Sequence, residues 1–472
     1  MKILMLASEV APFAKTGGLA DVVGSLPAAL KALGHEVAVL LPRYGTVDLK
    51  GLRRVYDHLP VWVPPRSFDT SLYLAERQTP FYFLDCPPLF DRPGLYGEEG
   101  EDYPDNHIRF AVLAQAALEF SRRVWRPNIL HGHDWQAGLA PVYLRTVYAN
   151  DPTFFGIHTL FTIHNVGYHG LFPAAAQSDI ALAGTDAFRP EGLEFFGKVC
   201  YLKGGLNYSD ALNTVSPTYA REIQTAEYGF GLDGVLRARS NVLTGILNGV
   251  DYTEWNPETD PSIAANYSTA DLSGKRVCKQ DLLSQFGLPP EAMDAPLIGI
   301  VSRFTSQKGT DLIAEVADAM VAEGYYMAAL GAGEPRYEEL FQALAARHPG
   351  RIAVRLGYDN PLAHKIEAGS DLFLMPSRYE PCGLNQIYSL RYGTVPVVRA
   401  TGGLDDTIEP GTGFKFWQYT GSALEGALRA ARQAFADREV WQAMMRAGMA
   451  KDFSWSISAA QYAGLYRSLM GI

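Results

Sequence analysis

A chain of 472 residues is long for one domain, and two or three are expected. With 47% hydrophobic and 19% charged residues it has ample core material, and a formal net charge of −10 argues against nucleic acid as a partner. The apolar opening MKILMLASEV soon meets Glu9, Lys15 and two glycines. It is too short for a membrane span and lacks a small-residue cleavage site, so a cytoplasmic protein that engages no membrane is expected. Cys86, Cys200, Cys278 and Cys382 lie far apart without a Cys-x-x-Cys pair, and read as free thiols rather than a disulfide or zinc framework.

In chain order, runs rich in Val, Ile and Leu predict strands at 2–7, 36–41, 81–85, 128–132, 160–164 and 211–216. Helical patterns such as 107–124 lie between them. The second half repeats the style at 296–302, 325–331, 351–357, 371–377 and 395–400. Continuous apolar strands separated by helices mean parallel sheets covered on both faces. Two such sheets fit the length, with a boundary near 241–251, which makes the fold class α/β.

Ligands of open parallel sheets collect at the carboxyl ends of strands, where loops turn into helices. Strand 2–7 leads to Lys15-Thr16-Gly17-Gly18, with a helix from about Leu19. Strand 296–302 leads to Arg303 and to Lys308-Gly309. Strand 395–400 leads to Thr401-Gly402-Gly403, so that Thr-Gly-Gly-Leu-x-Asp is written twice, from Thr16 and from Thr401. Glycines let backbone N–H groups approach a ligand, a helix start favours an anion, and lysine adds a point charge suited to phosphate. A tight turn with a solvated lysine explains any single loop. Two loops on two sheets suggest two walls of one cleft closing on one ligand.

The densest cluster is PSRYEPCGLNQIYSLRYG, residues 376–393, with Glu380 and Cys382 in a loop and a helix after Gly383. Glu380 could accept from sugar hydroxyls, or serve as a plain helix-start carboxylate. The N–H groups after Gly383, from Leu384 on, could hold phosphate. Arg303 and Lys308 would stabilise a departing diphosphate without any change of protonation. A competing reading places a metal on His131, His133 and Asp134 of HGHDW with His164 of TIHN, but the two-sheet pattern does not fit the single barrel usual for such hydrolases.

The motifs KTGGLADVVGSLP, HGHDWQAGL, TIHN, LNGVD, SRFTSQKG, EPCGLNQIYSLRYGTVPVV, TGGLDDTI and DFSWSISAAQYAGLY occur in this order. Together they resemble bacterial glycogen synthases and plant starch synthases, over essentially the whole chain. The resemblance implies the GT-B architecture: two facing Rossmann-like domains, 1–245 and 246–455, a deep interdomain cleft, and a helix at 456–472 crossing back to the first domain. It implies retaining transfer of glucose from ADP-glucose to the non-reducing end of an α-1,4-glucan such as glycogen, with no cofactor and no metal. It implies that Lys15, Gly18 and Asp21 approach the donor, that Arg303 and Lys308 bind its diphosphate, and that Tyr358 lies against the adenine. His164, Asn248 and Glu380 would contact the glucose, with Cys382, Gly383 and Leu384 lining the same wall and Tyr96 and Asp134 on the acceptor side. A UDP-glucose enzyme and a glucan-binding homologue without catalysis are the alternatives.

Overall fold

The computed structural model describes residues 1–472, which form two compact units. The first comprises Met1–Val215, Ala220–Gly249 and Trp455–Ile472; the second comprises Ser216–Tyr219 and Val250–Ser454.

The first unit is built on nine strands: β1 (Lys2–Leu6), β2 (Glu36–Pro42), β3 (Arg53–Val63), β4 (Arg66–Glu76), β5 (Pro80–Asp85), β6 (Ile129–His133), β7 (His158–Ile163), β8 (Ala211–Thr214) and β9 (Leu243–Gly245). Their order in the sheet is β9-β8-β7-β6-β1-β2-β5-β4-β3. From β9 to β5 every pairing is parallel, but β4 and β3 run antiparallel. The expectation of a wholly parallel sheet is thereby corrected. Only Pro64 and Pro65 separate β3 from β4, and so short a connection can only return the chain antiparallel. β3 is an edge strand carrying Arg53, Arg54, Asp57 and His58, so it lacks the continuous apolar run of a buried strand.

β1 shows the contrast, with Ile3, Leu4, Met5 and Leu6 all fully buried. The terminal helix, Trp455–Met470, joins this core through Trp455, Ala459, Tyr462, Ala463 and Tyr466, which recur at helical spacing on one face.

The second unit is a six-stranded, all-parallel sheet of β10 (Leu297–Phe304), β11 (Tyr326–Gly333), β12 (Ile352–Leu356), β13 (Leu372–Met375), β14 (Val395–Arg399) and β15 (Phe414–Phe416). The order is β12-β11-β10-β13-β14-β15. Alternate residues feed two separate cores: Ile298, Leu372, Leu374 and Val397 pack on one face, and Leu297, Phe373 and Val398 on the other. Burial on both faces is why the central strands β10, β11, β13 and β14 read as apolar runs, whereas β12 and β15 at the edges carry Arg355 and Lys415. The four cysteines are free and buried, and no helix is long and apolar enough to cross a membrane.

Candidate active site

In the first unit, β7, β6 and β1 are neighbours, so their carboxyl ends bring His164, His133, Asp134 and Glu9 side by side. Sequence reasoning passed over Glu9. It is 4% exposed, and its carboxylate accepts from Thr16 N at 2.5 Å, Thr16 Oγ1 at 2.6 Å, Gly17 N at 3.2 Å and the Tyr96 hydroxyl at 2.5 Å. Two of the N–H groups expected to meet a phosphate are therefore held by the chain's own carboxylate, which fixes the loop. The signal available in sequence was an acid placed straight after an apolar strand that ends at a glycine-bearing loop.

Lys15 and Asp21 stand at the rim, 48% and 32% exposed, with Nζ 2.7 Å from Oδ1. A Cβ built on Gly17 or Gly18 would meet nothing within 4 Å, so the surface of this loop is open. The helix begins at Gly18. Tyr96 is half-buried, its hydroxyl held between Glu9 and Ser8 Oγ at 2.7 Å, so only its ring could meet a glucan.

Asp134 sits at φ 55°, in the left-handed region, and is 8% exposed. Its Oδ1 accepts the His164 N–H at 2.7 Å, fixing the backbone that carries the histidine. Burial lifts its carboxyl to about 7, while hydrogen bonds from the His164 and Asn165 backbone pull the other way. Burial also holds the His131 and His164 rings down at about 3, and His133 well below the ordinary imidazole range. Both nitrogens of His131 are engaged, by Tyr466 at 2.8 Å and Thr162 at 2.6 Å, which leaves it no lone pair for a metal. Asn248 is 6% exposed, and its Oδ1 has no partner.

In the second unit, β10, β13 and β14 are adjacent, and their carboxyl ends assemble the other group. Lys308 Nζ lies 2.5 Å from Glu380 Oε2, with Ser377 Oγ donating to the same oxygen at 3.1 Å. Glu380 is thus no plain helix-start carboxylate. Gly309 makes this geometry possible: at φ +74° it lies so close to the next loop that a Cβ would fall 2.1 Å from Pro376 O. Arg378 N donates to Gln307 O at 2.8 Å, stitching the two loops together. Arg399, also passed over in the sequence, is 8% exposed and braces the loop by donating to Ser377 O and Arg378 O. A charged residue closing the run VPVVR was its signal.

Arg303 is exposed and forms no ion pair, so its charge is available. Cys382 is 4% exposed; Gly383, at φ +72°, turns the chain, and Leu384 caps the helix Asn385–Arg391. Tyr358 stands apart, after β12 at the edge of the sheet, 84% exposed and bonded only to Asn360 at 3.3 Å.

The second Thr-Gly-Gly copy is filled by the chain itself. A Cβ at Gly402 would fall 1.8 Å from Glu380 O, and one at Gly403 2.2 Å from Cys382 O. Gly403 N donates to Glu380 O and Pro381 O, each at 3.2 Å. This corrects the expectation that both copies present their glycines to a ligand; the second supports the Glu380 loop from behind.

Residues 2–238 match the family described as starch synthase catalytic domain, and residues 286–444 match glycosyl transferases group 1. A glycogen synthase from Koribacter versatilis (strain Ellin345) is 52% identical over 99% of this chain and 98% of its own length. One from Anaeromyxobacter dehalogenans (strain 2CP-C) is 50% identical over 99% and 100%. Among solved structures, the catalytic domain of starch synthase IV from Arabidopsis thaliana, bound to ADP and acarbose, superposes with a TM-score of 0.91 at 33% identity. The match covers 100% of this chain and 99% of that one. A sucrose-phosphate synthase from Thermosynechococcus elongatus, with a TM-score of 0.62 at 19% identity, shares the fold.

Proposed function

We propose, from the premise that this chain belongs to the glycogen and starch synthase family of glycosyltransferases, that it moves glucose from ADP-glucose to the non-reducing end of an α-1,4-glucan with retention at the anomeric carbon. The reaction breaks the bond from the anomeric carbon to the diphosphate and forms one to the acceptor 4-hydroxyl oxygen. The hydroxyl proton passes to the departing diphosphate.

The second unit meets the leaving-group charge. Arg303 offers an unpaired guanidinium at the end of β10, and Lys308 offers an ammonium already aimed by Glu380. An ammonium has three donors, so one can bind Glu380 while two reach phosphate oxygens. Fixed charges of this kind act without reorganising when the diphosphate leaves. Glu380 also contacts the glucosyl hydroxyls, beside Cys382 and the N–H groups of Gly383 and Leu384, and Tyr358 packs on the adenine. The first unit supplies His164 and the unfilled Asn248 acceptor to the glucosyl group, and Lys15, Gly18 and Asp21 to the donor. Tyr96 and Asp134 serve the acceptor side. The charge at the leaving group is carried by Arg303, Lys308 and Lys15, so the reaction proceeds without a divalent metal.

The observation that carries this reading is the ligand pair, ADP and acarbose, of the Arabidopsis starch synthase domain, which the fold matches over its full length. The test is incorporation of radiolabelled glucose into glycogen from ADP-glucose or UDP-glucose, each with and without EDTA. Incorporation from ADP-glucose, undiminished by EDTA, is the expected result. Preference for UDP-glucose overturns the donor assignment, absence of transfer from either makes the chain a binding homologue, and loss on chelation overturns the metal-free mechanism.

A further inference from the structure

The histidines of the first unit form a stacked column at the ends of β6 and β7. The His131 and His133 rings lie 4.1 Å apart at 33°, and the His133 and His164 rings 5.3 Å apart at 35°. Their hydrogen bonds decide which nitrogen carries each proton.

His131 is settled by its surroundings. The Asn213 amide nitrogen donates to Thr214 O at 2.9 Å, so its Oδ1 faces Thr162 and takes the Thr162 hydroxyl proton. Thr162 Oγ1 must then accept from His131 Nε2 at 2.6 Å, and His131 Nδ1 accepts the Tyr466 hydroxyl at 2.8 Å. With both nitrogens occupied, His131 touches His133 through its ring face alone.

His133 has one polar contact: its Nδ1 lies 3.0 Å from His164 Nε2, while its own Nε2 is buried without a partner. Burial keeps both rings neutral, so each has one N–H and one lone pair. If His164 donated from Nε2, the His133 proton would sit on Nε2 as a buried donor with no acceptor. If His133 donates from Nδ1, the unpaired atom is only a bare lone pair. Orphaned buried N–H groups are the rarer of the two in folded proteins.

We propose that His133 is a positioning residue: its Nδ1–H donates to His164 Nε2 and fixes His164 in the Nδ1–H tautomer, so that His164 offers the glucosyl group a neutral hydrogen-bond donor. No protein atom engages His164 Nδ1, which leaves that donor for an oxygen of the sugar. The catalytic consequence rests on the reading of His164 as a contact to the transferred glucose; the tautomer does not.

The test is two-bond proton–nitrogen correlation on the full chain labelled with ¹⁵N-histidine, the His164 signals being identified by their loss in His164→Gln. The expected spectrum shows the His164 proton on Nδ1, shifting toward Nε2 in His133→Leu. A proton on Nε2 in the unsubstituted protein overturns the proposal. In assays, His133→Leu should lower kcat about tenfold, the worth of one well-placed hydrogen bond, with KM for glycogen within about twofold. His133→Asn, whose side-chain amide donates from the Nδ1 position, should keep most of the rate. Equal losses in the Asn and Leu variants would mean packing alone and overturn the positioning role. An unchanged rate in His164→Ala removes the catalytic consequence, while the spectrum still decides the tautomer.

Discussion

Alanine at Lys308 and at Arg303 should separate charge that serves the ligand from charge that also serves the fold. Lys308 Nζ is 2.5 Å from Glu380 Oε2, the side chains being 19% and 7% exposed. Lys308→Ala leaves Glu380 with only Ser377 Oγ, at 3.1 Å. Removing one partner of a buried pair costs about 3–5 kcal/mol, and the partial exposure of Lys308 places this case at the lower end. For a unit of this size the melting temperature should fall on the order of 10 °C. Arg303 has no such partner, so Arg303→Ala should leave stability within about 0.5 kcal/mol. Both variants should lose transition-state stabilisation of about 2.7–4 kcal/mol, or roughly 10²–10³ in kcat. Calorimetry gives the first quantity, and glucose incorporation at saturating glycogen the second. Adding Glu380→Gln to Lys308→Ala should recover most of the melting temperature and none of the turnover. The reasoning is refuted if Arg303→Ala melts as low as Lys308→Ala, or if either single variant turns over normally.

Two further expectations follow from the first unit and the doubled motif. Burial raises the Asp134 carboxyl from 3.8 to about 7, so the folded state binds the proton more tightly than the unfolded state. Its own contribution to stability should then fall as pH rises between about 4 and 7, by at most about 4 kcal/mol. His131, His133 and His164, which burial holds below the ordinary imidazole range, instead add stability as pH rises toward about 6.5. Asp134→Asn keeps an oxygen for the His164 N–H and should remove only the falling component, so that its stability in urea titrations rises more steeply with pH than the parent's; identical pH profiles would refute the Asp134 assignment. Gly18→Ala should melt like the parent, because its Cβ meets nothing within 4 Å, whereas Gly403→Ala should melt lower, its Cβ falling 2.2 Å from Cys382 O. Thermal melts of the pair check this, and equal melting would refute it.

The central parallel strands were legible because they are buried on both faces and so read as unbroken apolar runs; β12, at the edge, was legible although Arg355 and Leu356 are exposed. The β3–β4 hairpin was not, since an edge strand bearing Arg53, Arg54, Asp57 and His58 carries neither an unbroken apolar run nor clean alternation. β9 and β15, at three residues each, are too short for any periodicity. Within the site, the glycines, lysines and histidines announced themselves by type and spacing. Glu9 and Arg399 did not, because their roles consist of contacts with Thr16 and Gly17 in one case and with the Ser377–Arg378 backbone in the other. The histidine protons were less legible still. They depend on Asn213 and Tyr466, which lie on other elements of the first unit.

The doubled phrase shows where such reading stops. Both copies start a helix, and both place an aspartate in its first turn against a lysine: Asp21 with Lys15, and Asp405 with Lys415, each at 2.7 Å. Up to this point the two are physically alike, which is why they are spelled alike. A glycine pair, however, states only that something comes closer than a side chain would allow. At Gly402 and Gly403 that something is the Glu380–Cys382 backbone, and the pair holds that loop in place from behind. At Gly17 and Gly18 the space is empty, and Glu9 locks the backbone so that the opening keeps its shape. Packing therefore demands glycine at Gly402 and Gly403 and not at Gly17 and Gly18, and one spelling covers two different physical requirements.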